Sequence, residues 1–337
     1  MRNLLVSLTC SLTALSSPAL AQTAEPSEPV SLETVAETIN ARMRAHHYDP
    51  AELDSAAYRA IETATIDLGR TAETPEDFLA AYNALWADGP FSHVQLSIAR
   101  APVAAMIAQI DSMRIGGGGA VLSWEGDTAI LDINTMMGND TIEEIEVAYS
   151  QIASRGADKL IIDLRGNSGG AFAVKPLVEH VIETPLDAGV FVSQPWNAAY
   201  DRAPTVADIA DLEPWTGWSV SAFWASARNN MLTPIRFHPE TEDHFSGPVF
   251  VLIDQGTQSA AEMAADALDA SDRVTLVGES TPGRMLSQTI FDIPGGFQLA
   301  LPIADYYSIA NGRIEGHGVA PDIEMEPEAA LEYALAQ

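Results

Sequence analysis

The sequence predicts an α/β protein with a mainly parallel sheet behind a helical N-terminal region. Apolar positions recur at helical spacing from Ser31 to about Trp86 (Val35, Ile39, Met43, then Ala57, Ile61, then Phe78, Leu79, Tyr82, Leu85). Two later stretches each run apolar strand, amphipathic helix, apolar strand. Two such crossovers imply a parallel sheet covered by helices. With 337 residues, 47% of them hydrophobic, the chain has ample material for a core.

Taken in order, "MRNLLVSLTCSLTALSSPALAQ" has a lone Arg2, an apolar run of secretory length and an Ala19-Leu20-Ala21 cleavage site before Gln22. It predicts export and removal of residues 1–21. The run is short for a bilayer span and holds several Ser and Thr, so no membrane insertion is expected after cleavage. Cys10, the only cysteine, would leave with it; the mature chain would then have no disulfide and no thiolate chemistry. The formal charge of −30 argues against nucleic acid and anionic membrane surfaces as partners.

Residues 22–30 read as a flexible lead-in, and the helical region closes at "ADGPFSHVQL", which sets a helical N-terminal part at 22–100 and a second part at 101–337. Gly116 to Gly119 carry no Gly-Lys-Ser/Thr sequel, so a turn is expected rather than a phosphate loop. "TAILDI" is the first strand. "DTIEEIEVAYSQIASRG" follows as a helix, with Asp140 and Glu143 as an expected capping pair and Gly156 as its stop; "KLIIDL" is the next strand. Residues 185–235 read as less regular and hold four of the six tryptophans, Trp196, Trp215, Trp218 and Trp224. They are expected to form a satellite cluster on the core, with a wall or lid over a cleft as the alternative. The second unit is "PVFVLID", a helix headed by Ser259, and "VTLVGE".

Ser259 with Glu262 three residues on is a capping box. The same place, strand into turn into helix N-terminus, also exposes a hydroxyl where backbone N–H groups would stabilise an oxyanion. The strand "KLIIDL" runs into "RGNSGG" (Arg165 to Gly170), a turn whose glycines allow close backbone approach. His46 and His47 are adjacent and cannot share a helix face, and no His-Glu-x-x-His pattern exists, so no metal site is expected.

Together, "RGNSGG", "GTQSAAE" and the closing "GHGVAPDIEM" resemble the C-terminal processing peptidase and tricorn protease family of serine peptidases, over roughly Asp127 to Met325. The resemblance implies a ββα-superhelix related to the Clp protease and crotonase cores, Ser259 as nucleophile, and peptide or protein substrates without metal or organic cofactor. The processing peptidases of that family use a lysine 25 residues after the serine; here that position is Arg284, which cannot surrender its proton. The tricorn-type scheme is implied instead: His93 as base in its Ser92-His93 context, with Ser92 and Glu315 completing the relay. His317, close to Glu315, is the rival base. The oxyanion would be held by the amides of Ala260 and of Gly169 or Gly170, and Arg284 would contact substrate. The connection from Arg100 to Ala120 is too short for the PDZ domain that processing peptidases insert. Two other readings stand beside this one. A non-catalytic protein of the same fold could bind an apolar ligand or peptide; an α/β-hydrolase esterase lacks support, since Gly256 to Ala261 has no Gly-x-Ser-x-Gly elbow.

Overall fold

The computed structural model describes residues 30–171, 173–217 and 219–337. The expected signal sequence with Cys10 and Gln22, and Trp218, lie outside the described residues.

Three helices open the chain: α1 (Leu32–His46), α2 (Ala56–Thr71) and α3 (Pro75–Trp86). Each has a hydroxyl cap: Ser31, Ser55 and Thr74 accept from the amides of Thr34, Tyr58 and Asp77 at 3.1, 3.2 and 3.1 Å, contacts worth about 1 kcal/mol apiece. Val35, Ile39 and Met43 form the buried stripe of α1, as their spacing predicts.

Strand β1 (Gln95–Ile98) and helix α4 (Val103–Ile110) lead to the hairpin of β2 (Ala120–Glu125) and β3 (Thr128–Ile133). Then come α5 (Asn139–Arg155), β4 (Lys159–Asp163), α6 (Val174–Glu179), β5 (Leu186–Ser193), α7 (Gln194–Ala199), α8 (Val206–Ile209), α9 (Val220–Asn229) and β6 (Leu232–Phe237). The chain continues through β7 (Val249–Ile253), α10 (Ala260–Asp269), β8 (Val274–Gly278), β9 (Ser287–Ile293), β10 (Phe297–Ser308), β11 (Gly312–Arg313), β12 (Ile323–Glu324) and α11 (Pro327–Ala336).

Among the described residues the strands form two six-stranded sheets. One has the order β12-β8-β7-β4-β3-β2 and is parallel except for β2. This is the expected parallel sheet, and its strands β4, apolar from Leu160 to Ile162, and β7, apolar throughout, lie at its centre, covered on both faces. The second sheet, antiparallel and built on the long strand β10, is not anticipated by the sequence reading. It takes β5 and β6 from the stretch read as less regular, which is therefore more ordered than expected. The helical region and both sheets share one core; Phe78 of α3, for example, meets Phe297 of β10 edge-on at 5.9 Å.

The expected Asp140–Glu143 capping pair does not form. Gly138 caps α5. The Asp140 carboxylate instead accepts the amides of Ile115, Gly116 and Gly117, and Glu144 accepts those of Gly118 and Ala120. Glu143 pairs with Arg114. The glycine run thus supplies an anion nest whose anions are the protein's own side chains.

Candidate active site

Strand β7 delivers the chain to a corner at Asp254, whose Oδ1 accepts the amides of Gly256 and Gly166 at 2.8 and 2.9 Å. Thr257, fully buried, donates its hydroxyl to the Leu164 carbonyl at 2.9 Å and ties the corner to the end of β4. Ser259 then adopts φ +56° and ψ −123°. A non-glycine residue held there costs on the order of 1–3 kcal/mol, a strain that clusters at functional sites. Glu262 Oε2 accepts the Ser259 amide at 3.0 Å, the carboxylate half of the expected box. Glu262 does more than cap: its oxygens also accept Thr281 Oγ1 and the amides of Gly283 and Arg284 at 2.6 to 2.8 Å, binding the 281–284 loop to the helix of Ser259.

The "RGNSGG" turn lies against this corner. Asn167 is fully buried; its Nδ2 donates to the Ile133 carbonyl and its Oδ1 accepts the Gly169 amide, both at 2.8 Å. Its carbonyl accepts the Gln258 amide at 2.9 Å. Gly169, at φ +91°, packs so closely that a Cβ there would lie 2.6 Å from Ser259 Cβ. Because its amide already serves Asn167, Gly169 has no N–H left for an oxyanion. Among the described residues the amides of Gly170 and Ala260 donate to no acceptor, and both residues line the cleft beside Ser259. Of the sequence-derived pair Gly169 or Gly170, the second is the one with a donor available. Asn167 and Glu262 as positioning groups were missed by the sequence reading, although both stand inside the quoted motifs.

Half-buried Ser92 and His93 enter from the other side, between α3 and β1. Ser92 Oγ lies 2.6 Å from His93 Nδ1, and His93 itself has φ +63°. Glu315, buried after β11, accepts the Ser92 amide through Oε1 at 3.2 Å and the Met285 amide through Oε2 at 2.7 Å. Burial, reinforced by the Arg284 charge, pushes the His93 imidazole down to about 4. Arg284 is exposed and does not line the cleft. His317 is exposed too, with Nδ1 facing the Glu315 carbonyl at 3.0 Å, and is also absent from the cleft wall. No hydrogen bond joins Ser259 to His93, but both face one cleft of about 420 Å³. Among the described residues no three His, Cys, Asp or Glu side chains are placed to hold a metal ion.

The tryptophans divide. Trp196 packs with Val190, Val192 and Leu232 in a satellite cluster, while Trp215 and Trp224 line the cleft, so both expected roles occur.

A family model for peptidase family S41 matches residues 127–325. The chain belongs to that family. The matched span holds Ser259, the Asn167 turn and Glu315 but not Ser92 or His93, and a serine-type peptidase, the class expected from the sequence, is the class of this family. A carboxy-terminal-processing protease of Bartonella bacilliformis is 36% identical over 216 residues, 62% of this chain and 41% of that one. A carboxyl-terminal-processing protease of a Picosynechococcus strain is 30% identical over 192 residues, 57% and 37% of the two chains. The chain therefore spans well under half the length of these relatives. Among solved structures, the photosystem II D1 C-terminal processing protease superposes with a TM-score of 0.55 at 15% identity, covering 89% of this chain and 94% of that one. A candidate peptidase from Parabacteroides merdae gives 0.62 at 13%, covering 91% and 96%. At such identities the likeness is one of fold, and the fold is the Clp-like α/β core expected from the motifs.

Proposed function

We propose that the chain is an exported serine endopeptidase that cuts peptide or protein substrates through an acyl-enzyme on Ser259. Ser259 Oγ attacks the peptide carbonyl while His93 takes its proton; the tetrahedral oxyanion is received by the Gly170 and Ala260 amides. His93 returns the proton to the leaving amine, and water, deprotonated by His93, then releases the acyl group from Ser259. Ser92 Oγ, accepting from Nδ1–H, leaves Nε2 as the basic nitrogen. Glu315 acts through the Ser92 amide, so its role is positioning. Residues 101–337 would form the catalytic domain, and 22–100 a helical cap that lends it Ser92 and His93.

The observation that supports this most is the strained Ser259 flanked by two amides without acceptors, with His93 across the same cleft. A fluorophosphonate probe should label the wild-type chain and not Ser259→Ala; equal labelling of both would reject the nucleophile. Export is supported by the Ala19-Leu20-Ala21 sequence, and no helix among the described residues is long and apolar enough to cross a membrane. Mass spectrometry of the exported protein should place its N-terminus at Gln22.

A second reading, a carrier of apolar ligands, has the aromatic lining of the cleft in its favour. A carrier has no use for strain at Ser259. Tryptophan quenching by lipophilic ligands without any Ser259-dependent turnover would favour it.

A further inference from the structure

The cleft that holds Ser259, Gly170 and Ala260 is lined mainly by apolar side chains. Phe191 and Ile235 come from the antiparallel sheet, Met263 from α10, and Val220, Phe223 and Trp224 from α9. Two cations also reach it, and both are compensated: Lys175 Nζ lies 2.7 Å from Glu179 Oε2, and Arg236 is paired with Asp187 at 2.6 and 2.9 Å. A carboxylate entering here would meet no free positive charge and a chain of net charge −30. About 420 Å³ is more space than a methyl group can fill.

Helix α9 is not held by the core alone. Its N-cap, Ser219, donates its hydroxyl to Asp111 Oδ2 at 2.6 Å, and Ser221 donates its hydroxyl to the same oxygen at 2.5 Å and its amide to Oδ1 at 3.2 Å. Asp111 follows α4, whose Ile110 also lines the cleft. Its carbonyl is anchored from behind by Asn139 Nδ2 at 3.1 Å, at the start of α5. One carboxylate thus ties the start of α9 to the end of α4, two helices that both line the cleft.

We propose that the cleft selects peptides whose residue bearing the scissile carbonyl has a large, uncharged apolar side chain, and that Asp111 is the positioning residue that holds the selecting wall in place. The proposal rests on the peptidase reading above. Removing methylene groups from a side chain seated in an apolar pocket lowers kcat/KM by about ten-fold or more, so leucine and phenylalanine should exceed alanine by at least that factor, with glutamate below alanine.

The test is a set of quenched fluorescent peptides differing only at that residue, cut by wild type, Asp111→Ala, Asp111→Asn and the Ser219→Ala, Ser221→Ala double variant. The leucine-to-alanine ratio of kcat/KM should be about ten or more in wild type. It should collapse toward one in Asp111→Ala and in the serine double variant, mainly through KM, and recover in large part in Asp111→Asn, which keeps an acceptor oxygen. Alanine cut as well as leucine by the wild type would overturn the selection. An unchanged ratio in both latch variants would overturn the role of Asp111. Absence of Ser259-dependent turnover on every peptide would instead overturn the peptidase reading on which both depend.

Discussion

Ser259 carries a conformational cost that the proposed nucleophile needs and the fold does not. Glycine accepts φ +56° freely, so Ser259→Gly should raise stability by about 1 kcal/mol while abolishing turnover; a denaturant midpoint that falls would show that the corner is not strained. The position of this serine was legible, because strand, turn and helix cap are written in adjacent residues. Its dihedral angle was not, since it is imposed by Gly169 and Asn167, some ninety residues earlier in the chain. The same holds for His93. An isolated imidazole would titrate near 6.5, and burial with the nearby Arg284 charge brings this one down to about 4. The sign is direct: the ring is a competent base only when neutral, hence above that value. The acid limb of kcat/KM should fall near pH 4, and Arg284→Ala, which removes one of the two lowering causes, should move it upward. A wild-type limb at 6.5 would count against His93 in its present surroundings. His93→Ala should cost on the order of 10³-fold in turnover.

Between residue and fold stand the turns that bring the motifs together. Asn167 is the hinge pin of one of them, satisfying the Ile133 carbonyl and the Gly169 amide at once. Asn167→Ala leaves both buried groups unpaired, at about 1–3 kcal/mol each, and frees the Gly169 segment to shift under Ser259. Urea titration should show a loss of about 2–6 kcal/mol, and turnover should drop more than substrate binding. Stability kept within 0.5 kcal/mol, the range of an indifferent surface change, would contradict this. The parallel sheet was readable because its inner strands hold continuous apolar runs, Leu160 to Ile162 in β4 and Val249 to Ile253 in β7. The antiparallel sheet left one strong local mark that went unused: Gly295 and Gly296, at φ +80° and +82°, turn β9 into β10 as a hairpin. The α5 capping pair failed for the opposite reason. Its local pattern was right, but the glycine run far upstream competes for the Asp140 carboxylate with three amides.

At the scale of the molecule, the N-terminal helices and one face of each sheet are buried in one common core. Helices and sheets should therefore melt in one calorimetric transition, and two resolved transitions would mean that the helical part is a separate unit. The proposed site is drawn from Ser92 and His93, the turn at 167–170, the corner at 259–262 and Glu315, so it has no part that is local in sequence. That spacing has a bearing on when such a molecule becomes dangerous to its maker. On the proposed mechanism, a chain growing from its N-terminus would hold Ser259 and His93 before it holds Glu315, whose carboxylate accepts the Ser92 amide at 3.2 Å. On that mechanism the nascent chain would be held inactive by the order of its own synthesis. A chain ending at Arg313 should be inert toward the fluorophosphonate, even while its Ser259 is already in place.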